Sequence, residues 1–127
     1  MTNGNGRTVL LVEDDPSVRK LISAMLDSHA YRVLAAGDGA EALATSSLFE
    51  GRIDLVITDF GLGEMNGLEL ADRLSARRPG LRVLIISGYT EIQLPPGIRE
   101  SLKPEFLPKP FTMDALLAKV GRIMARP

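Results

Sequence analysis

The sequence predicts an α/β fold, a three-layer sandwich with right-handed crossovers. Short β-branched apolar runs alternate with helix-patterned segments along the whole chain, and each run stops abruptly at a turn. The runs are continuous, as in strands buried on both faces of a parallel sheet, not alternating as in half-exposed ones. With 127 residues, 45% apolar but only 5% aromatic, there is aliphatic material for one core and hence one domain.

Thr8 to Val12 is the first such run and ends in Glu13-Asp14-Asp15. Pro16 suits a first helical position behind Asp15 as N-cap, and Val18, Leu21, Ile22, Met25 and Leu26 recur at helical spacing. Tyr31 to Ala36 reads as a strand, Gly37-Asp38-Gly39 as a turn and Ala40 to Ser47 as a short helix. Ile53 to Thr58 is a second buried-type strand, ending at Asp59, and the glycine-bearing stretch Phe60 to Asn66 is a loop. A helix over Leu68 to Ala76 is closed by Pro79-Gly80, and Arg82 to Ile86 is a strand that ends at Ser87-Gly88. Pro95-Pro96-Gly97 and Pro104 break the pattern between Tyr89 and Glu105, so an irregular or shortened fourth helix is expected there. Phe106-Leu107 forms a short last strand, and Thr112 caps a final helix with Leu116, Leu117, Val120, Ile123 and Met124 on one stripe. Residues 1–7 are polar and glycine-rich, which reads as a flexible segment ahead of a domain over 8–125.

Charge and cysteine usage exclude several functions. Fifteen basic residues stand against sixteen acidic ones, so no global positive field favours direct nucleic-acid binding. The absence of cysteine removes disulfides, thiolate catalysis and cysteine-based zinc sites. No apolar run approaches the roughly 20 residues of a membrane-spanning helix, and the amino terminus lacks a signal-peptide core, so a soluble, cytoplasmic protein is expected.

In an open parallel sheet, ligands bind beyond the carboxyl ends of the strands. Here those ends deliver Glu13 and Asp14, then Asp59, Ser87 and Lys109. Taken singly, each is an ordinary turn acid, turn hydroxyl or surface charge; all five reaching one rim is the signal. Clustered carboxylates repel unless a cation lies among them, and hard oxygen donors without Cys or His favour Mg²⁺ or Mn²⁺ over zinc. With the ion held by Asp14 and Asp59, and by Glu13 through water, Asp59 is placed to attack a phosphoryl group whose oxygens Lys109 and Ser87 receive.

Five pieces of the chain carry a family resemblance: Leu11-Val12-Glu13-Asp14-Asp15-Pro16, Val56-Ile57-Thr58-Asp59, Met65-Asn66-Gly67, Leu84-Ile85-Ile86-Ser87-Gly88 and Phe106-Leu107-Pro108-Lys109-Pro110-Phe111. Together they resemble the receiver domains of two-component response regulators over nearly the whole length. The resemblance implies a parallel sheet of order 2-1-3-4-5, Asp59 as phosphoryl acceptor, Glu13 and Asp14 as metal acids and the Gly61 carbonyl as a further metal ligand. It also implies Ser87 as switch hydroxyl, Lys109 as phosphoryl-binding lysine, Phe106 as the aromatic that follows the switch, and a cis peptide at Lys109-Pro110. The implied donor is a histidine kinase or a histidine phosphotransfer protein. Ser87-Gly88-Tyr89 is similar to receivers attached to hybrid sensor kinases. Gly63 stands where receivers commonly carry proline, which with Gly61 predicts a more mobile loop after the acceptor.

Two other functions compete: a scaffold that binds a partner regardless of phosphorylation, and a metal-dependent phosphatase or nuclease. The second generally carries an Asp-x-Asp pair after one strand, whereas Asp59 is followed by Phe60-Gly61. Self-catalysed phosphorylation and slow self-hydrolysis are expected instead of turnover. His29, the one histidine, reads as a helix-terminus residue, and Met25, Met65, Met113 and Met124 as core filling. Tyr89 suits either a shield over the phosphoryl group or a cover for its loop, and Phe111 suits both partner docking and a staple before the last helix.

Overall fold

A computed structural model of the chain describes residues 4–88 and 102–126. The chain alternates β1 (Thr8–Val12), α1 (Pro16–Ser28), β2 (Arg32–Ala36), α2 (Gly39–Leu48), β3 (Leu55–Asp59), α3 (Gly67–Arg77), β4 (Arg82–Ser87), β5 (Glu105–Pro108) and α4 (Met113–Met124). The five strands are parallel in the order β2-β1-β3-β4-β5, as expected. Most of the segment for which a broken fourth helix is expected, including Tyr89, lies outside the described residues.

The unbroken apolar runs are explained by two-sided burial. Successive side chains of a strand point to opposite faces, so Leu10, Val12, Val56, Val83 and Ile85 pack with Leu68, Leu70, Ala71 and Leu74 of α3 and Ala42 of α2. Their neighbours Val9, Leu11, Leu55, Ile57, Leu84 and Ile86 pack on Ile22 and Leu26 of α1 and on Leu116, Val120, Ile123 and Met124 of α4. The central β1 and β3 are buried throughout, whereas the edge strand β2 exposes Arg32 and Ala35.

Caps set the helix limits. Asp15 accepts the N–H groups of Ser17 and Val18 ahead of α1, and Thr112 accepts that of Ala115 ahead of α4. Asp38 accepts the Glu41 N–H, which moves the start of α2 to Gly39. Asn66 and Glu69 form a capping box that starts α3 at Gly67. Tyr31 is buried but precedes β2, because its N–H closes the end of α1 on Leu26 O. Pairing of β3 begins at Leu55, not Ile53; just ahead of it the Asp54 carboxylate accepts the Thr8 N–H while the Asp54 N–H donates to Thr8 O. Of the apolar residues at helical spacing in α1, Leu21 is 56% exposed. Adjacent helical residues stand about 100° apart, and Leu21 is turned off the Ile22–Leu26 line that faces the sheet.

Candidate functional site

The register brings the strand ends to one rim. Val12 lies beside Thr58, Asp59 beside Ile86, and Ser87 beside Pro108. Beyond Val12, the Glu13 N–H bonds to Ala36 O at the end of β2. Glu13 is buried, Asp14 is exposed and Asp59 is buried, and one carboxylate oxygen of each lies within 4.8 Å of the other two. Asp15 points elsewhere, into the α1 cap.

Lys109 joins them from β5. Its backbone N–H bonds to Ser87 O at 2.8 Å, and its ammonium lies 3.2 Å from Asp59 Oδ1. The Lys109-Pro110 peptide is cis, in agreement with the resemblance. That Asp59 oxygen is fully enclosed and, among the described residues, accepts no hydrogen bond; the lysine is at ion-pair distance without hydrogen-bond alignment. Ser87 is buried at the end of β4. Phe106 is half-buried opposite Ile85 and packs on the sheet face that carries α3. Gly61 is exposed at the start of the loop after β3, with no atom within 4 Å of where a Cβ would project. Gly63 has φ +81°, a conformation closed to proline, which accounts for the departure from the common pattern.

An open cleft of about 700 Å³ lies over these groups, lined by Glu13, Asp14, Asp15, Asp59 and Lys109 with Val18, Pro110 and Phe111 as an apolar wall. Burial, and next the hydrogen bond shared with Asp59, push Glu13 up to about 8. Glu13 therefore keeps its proton at neutral pH unless another cation replaces it. An enclosed carboxylate oxygen lacking a hydrogen bond, within a cluster of hard oxygen donors, fits a small divalent ion such as Mg²⁺ or Mn²⁺.

His29 lies at the C-cap of α1 with Nδ1 2.9 Å from Met25 O, at the end remote from this rim. Among the described residues the methionines serve the core: Met25, Met113 and Met124 on one face, Met65 on the other. Two residues of the site escape a reading of the sequence for acids and hydroxyls. Gly67 presses so close to Asp59 that a Cβ would stand 2.5 Å from its carbonyl oxygen. Arg19 donates to Glu13 O at 2.8 Å. A sign of it was present: a basic residue just inside a helix N-terminus, where the helix dipole favours acids.

Residues 9–121 match the family model described as "Response regulator receiver domain". The chain is 34% identical over 119 residues to the sensor kinase CckA of Brucella abortus, covering 94% of this chain and 13% of that protein. It is 30% identical to the response regulator receiver protein CpdR of the same organism, covering 93% of this chain and 97% of the other. Among solved structures, the receiver domain from the hybrid histidine kinase CckA superimposes with a TM-score of 0.77 at 31% identity, over 92% of this chain and 98% of that one. Chemotaxis protein CheY4 of Vibrio cholerae gives 0.78 at 27% identity, over 93% and 98%. The chain spans no more than a quarter of the length of several of the curated relatives it matches.

Proposed function

This chain belongs to the response regulator receiver domain family of two-component signalling, and from that premise we propose that Asp59 is the carboxylate that accepts the phosphoryl group, within a receiver formed by residues 8–125. The observation that supports the assignment most is the gathering of Glu13, Asp14 and Asp59 within 4.8 Å, with the Lys109 ammonium 3.2 Å from Asp59 Oδ1.

In the transfer, an Asp59 oxygen attacks phosphorus in line with the bond to the donor's imidazole nitrogen. That N–P bond breaks, its electron pair stays on the nitrogen, and the product is an acyl phosphate on Asp59. Glu13, Asp14, Asp59 and the Gly61 carbonyl are the groups that would hold Mg²⁺ or Mn²⁺; when bound, the ion supplies neutralisation of the charge on the phosphoryl oxygens. Lys109 gives up its contact with Asp59 to pair with the added phosphoryl oxygens. The Ser87 hydroxyl follows it as switch, and Phe106, on the adjoining strand, is the group whose packing responds. The donor is a histidine kinase or a histidine phosphotransfer protein, and the chain catalyses only its own phosphorylation and slow hydrolysis.

A small phosphoryl donor such as acetyl phosphate, supplied with Mg²⁺, is expected to add one hydroxylamine-labile phosphoryl group, seen by intact mass. Asp59→Asn abolishes the addition. An unchanged mass in the wild type, or the same addition in Asp59→Asn, overturns the assignment.

A further inference from the structure

Asp14 is the exposed member of the acidic cluster and sits on a turn, so its aim depends on the two peptides that flank it. Both are tied. The Asp14–Asp15 peptide gives its N–H to Glu13 Oε1 at 3.1 Å, and the carbonyl of the Glu13–Asp14 peptide accepts from Arg19 Nη1 at 2.8 Å. The first tie uses a carboxylate that itself belongs to the cluster. The second comes from outside it, from one turn along α1, and uses none of the acids' own oxygens.

A second, independent feature leaves the guanidinium room. Gly37 follows the end of β2, and a Cβ at that position would stand 3.3 Å from Arg19 Nη1. A side chain at 37 would crowd the guanidinium that reaches across from α1 and press it back by a few tenths of an ångström. The Gly37 N–H is in turn held by Glu41 Oε1 at 2.5 Å, which fixes the wall against which the guanidinium rests.

The geometry points to Arg19 as a positioning residue for the divalent-cation site: by holding the Glu13 carbonyl, it orients Asp14 toward Asp59. This rests on the reading of the acidic cluster as a metal site. Charge alone makes the opposite prediction. Arg19 is a cation on the turn that carries two of the acids, so removing it should tighten the binding of another cation. The sign of the change in affinity therefore separates positioning from simple electrostatics.

The test is calorimetric titration of Mg²⁺ alone into the full chain at fixed pH, with urea melts to show that each variant is folded. Arg19→Met, which keeps length but cannot donate, should bind Mg²⁺ roughly tenfold more weakly, the usual cost of losing a group that orients a ligand. Arg19→Gln restores a donor without the charge and should recover part of that loss. Gly37→Ala, with every charge retained, should also bind more weakly because the guanidinium is displaced. Equal or tighter Mg²⁺ binding by both Arg19→Met and Gly37→Ala overturns the role of Arg19 while leaving the metal site standing. Failure of the unaltered chain to bind Mg²⁺ overturns the metal site itself, and the role of Arg19 with it.

Discussion

Raising the pH of the metal-free protein should destabilise it across the neutral range, and Glu13 is the reason. Its carboxyl is pushed from an ordinary 4.5 up to about 8, by burial first and then by the hydrogen bond shared with Asp59. Between those two values the folded chain holds a proton that the unfolded chain has already released. Stability then falls as pH rises, because the unfolded state binds fewer protons. The contribution is complete below about 4.5 and is lost as pH climbs through about 8. One proton limits the slope to ~1.4 kcal/mol per pH unit, and solvent screening in the open cleft should bring it to roughly 1. Urea melts in chelator at three pH values inside this window measure the slope directly. Glu13→Gln, which mimics the protonated form, should flatten it. Saturating Mg²⁺ should flatten it as well, because the cation displaces the proton; apparent Mg²⁺ affinity then rises toward about tenfold per pH unit below the upper limit. A slope near zero in the wild type, or an equal slope in Glu13→Gln, refutes the argument that the cluster stores a proton.

Two further substitutions probe the scaffold around the site. Gly67→Ala puts a Cβ 2.5 Å from Asp59 O, a backbone clash that no rotamer relieves; it should cost about 1–3 kcal/mol in urea melts and reduce phosphorylation by moving the acceptor. Arg78→Ala removes hydrogen bonds to Ser46 Oγ and to the carbonyls of Ser46, Phe49 and Gly51, which close the end of α2. A loss of about 2–3 kcal/mol is expected with Mg²⁺ affinity unchanged, since this clamp lies at the end of the sheet remote from the acids.

Helices on both faces of the sheet explain how much of the fold is legible in the sequence. A parallel sheet buried on both faces needs continuous β-branched runs, so β1, β3 and β4 announce themselves in one dimension, and the residues just after each run must lie at the carboxyl rim. Glu13, Asp14, Asp59, Ser87 and Lys109 were legible for that reason. Capping is equally local, which is why Asp15 and Thr112 cap α1 and α4 as their positions indicate. Among the described residues, no helix is long and apolar enough to cross a membrane, as the run lengths indicated.

Pattern failed where the outcome depended on another segment. The 3.6-residue period draws a line along α1 but not the width of the surface that meets it, so Leu21 fits the spacing and is still exposed. Gly67 is an ordinary turn glycine until α3 is packed against the end of β3, and Glu13 keeps its proton because the fold buries it, and next because Asp59 lies beside it. Arg19 belongs to the site only because β2 ends next to β1, which places Gly37 where the guanidinium needs room. Residue order by itself determined the elements, the layers and the rim at which chemistry collects, since these arise from local periodicity and from the topology of parallel strands. Tertiary structure alone decided distances, proton sharing and which backbone groups hold the acids in aim, because each of these is set by atoms that approach through space from segments far apart in the chain.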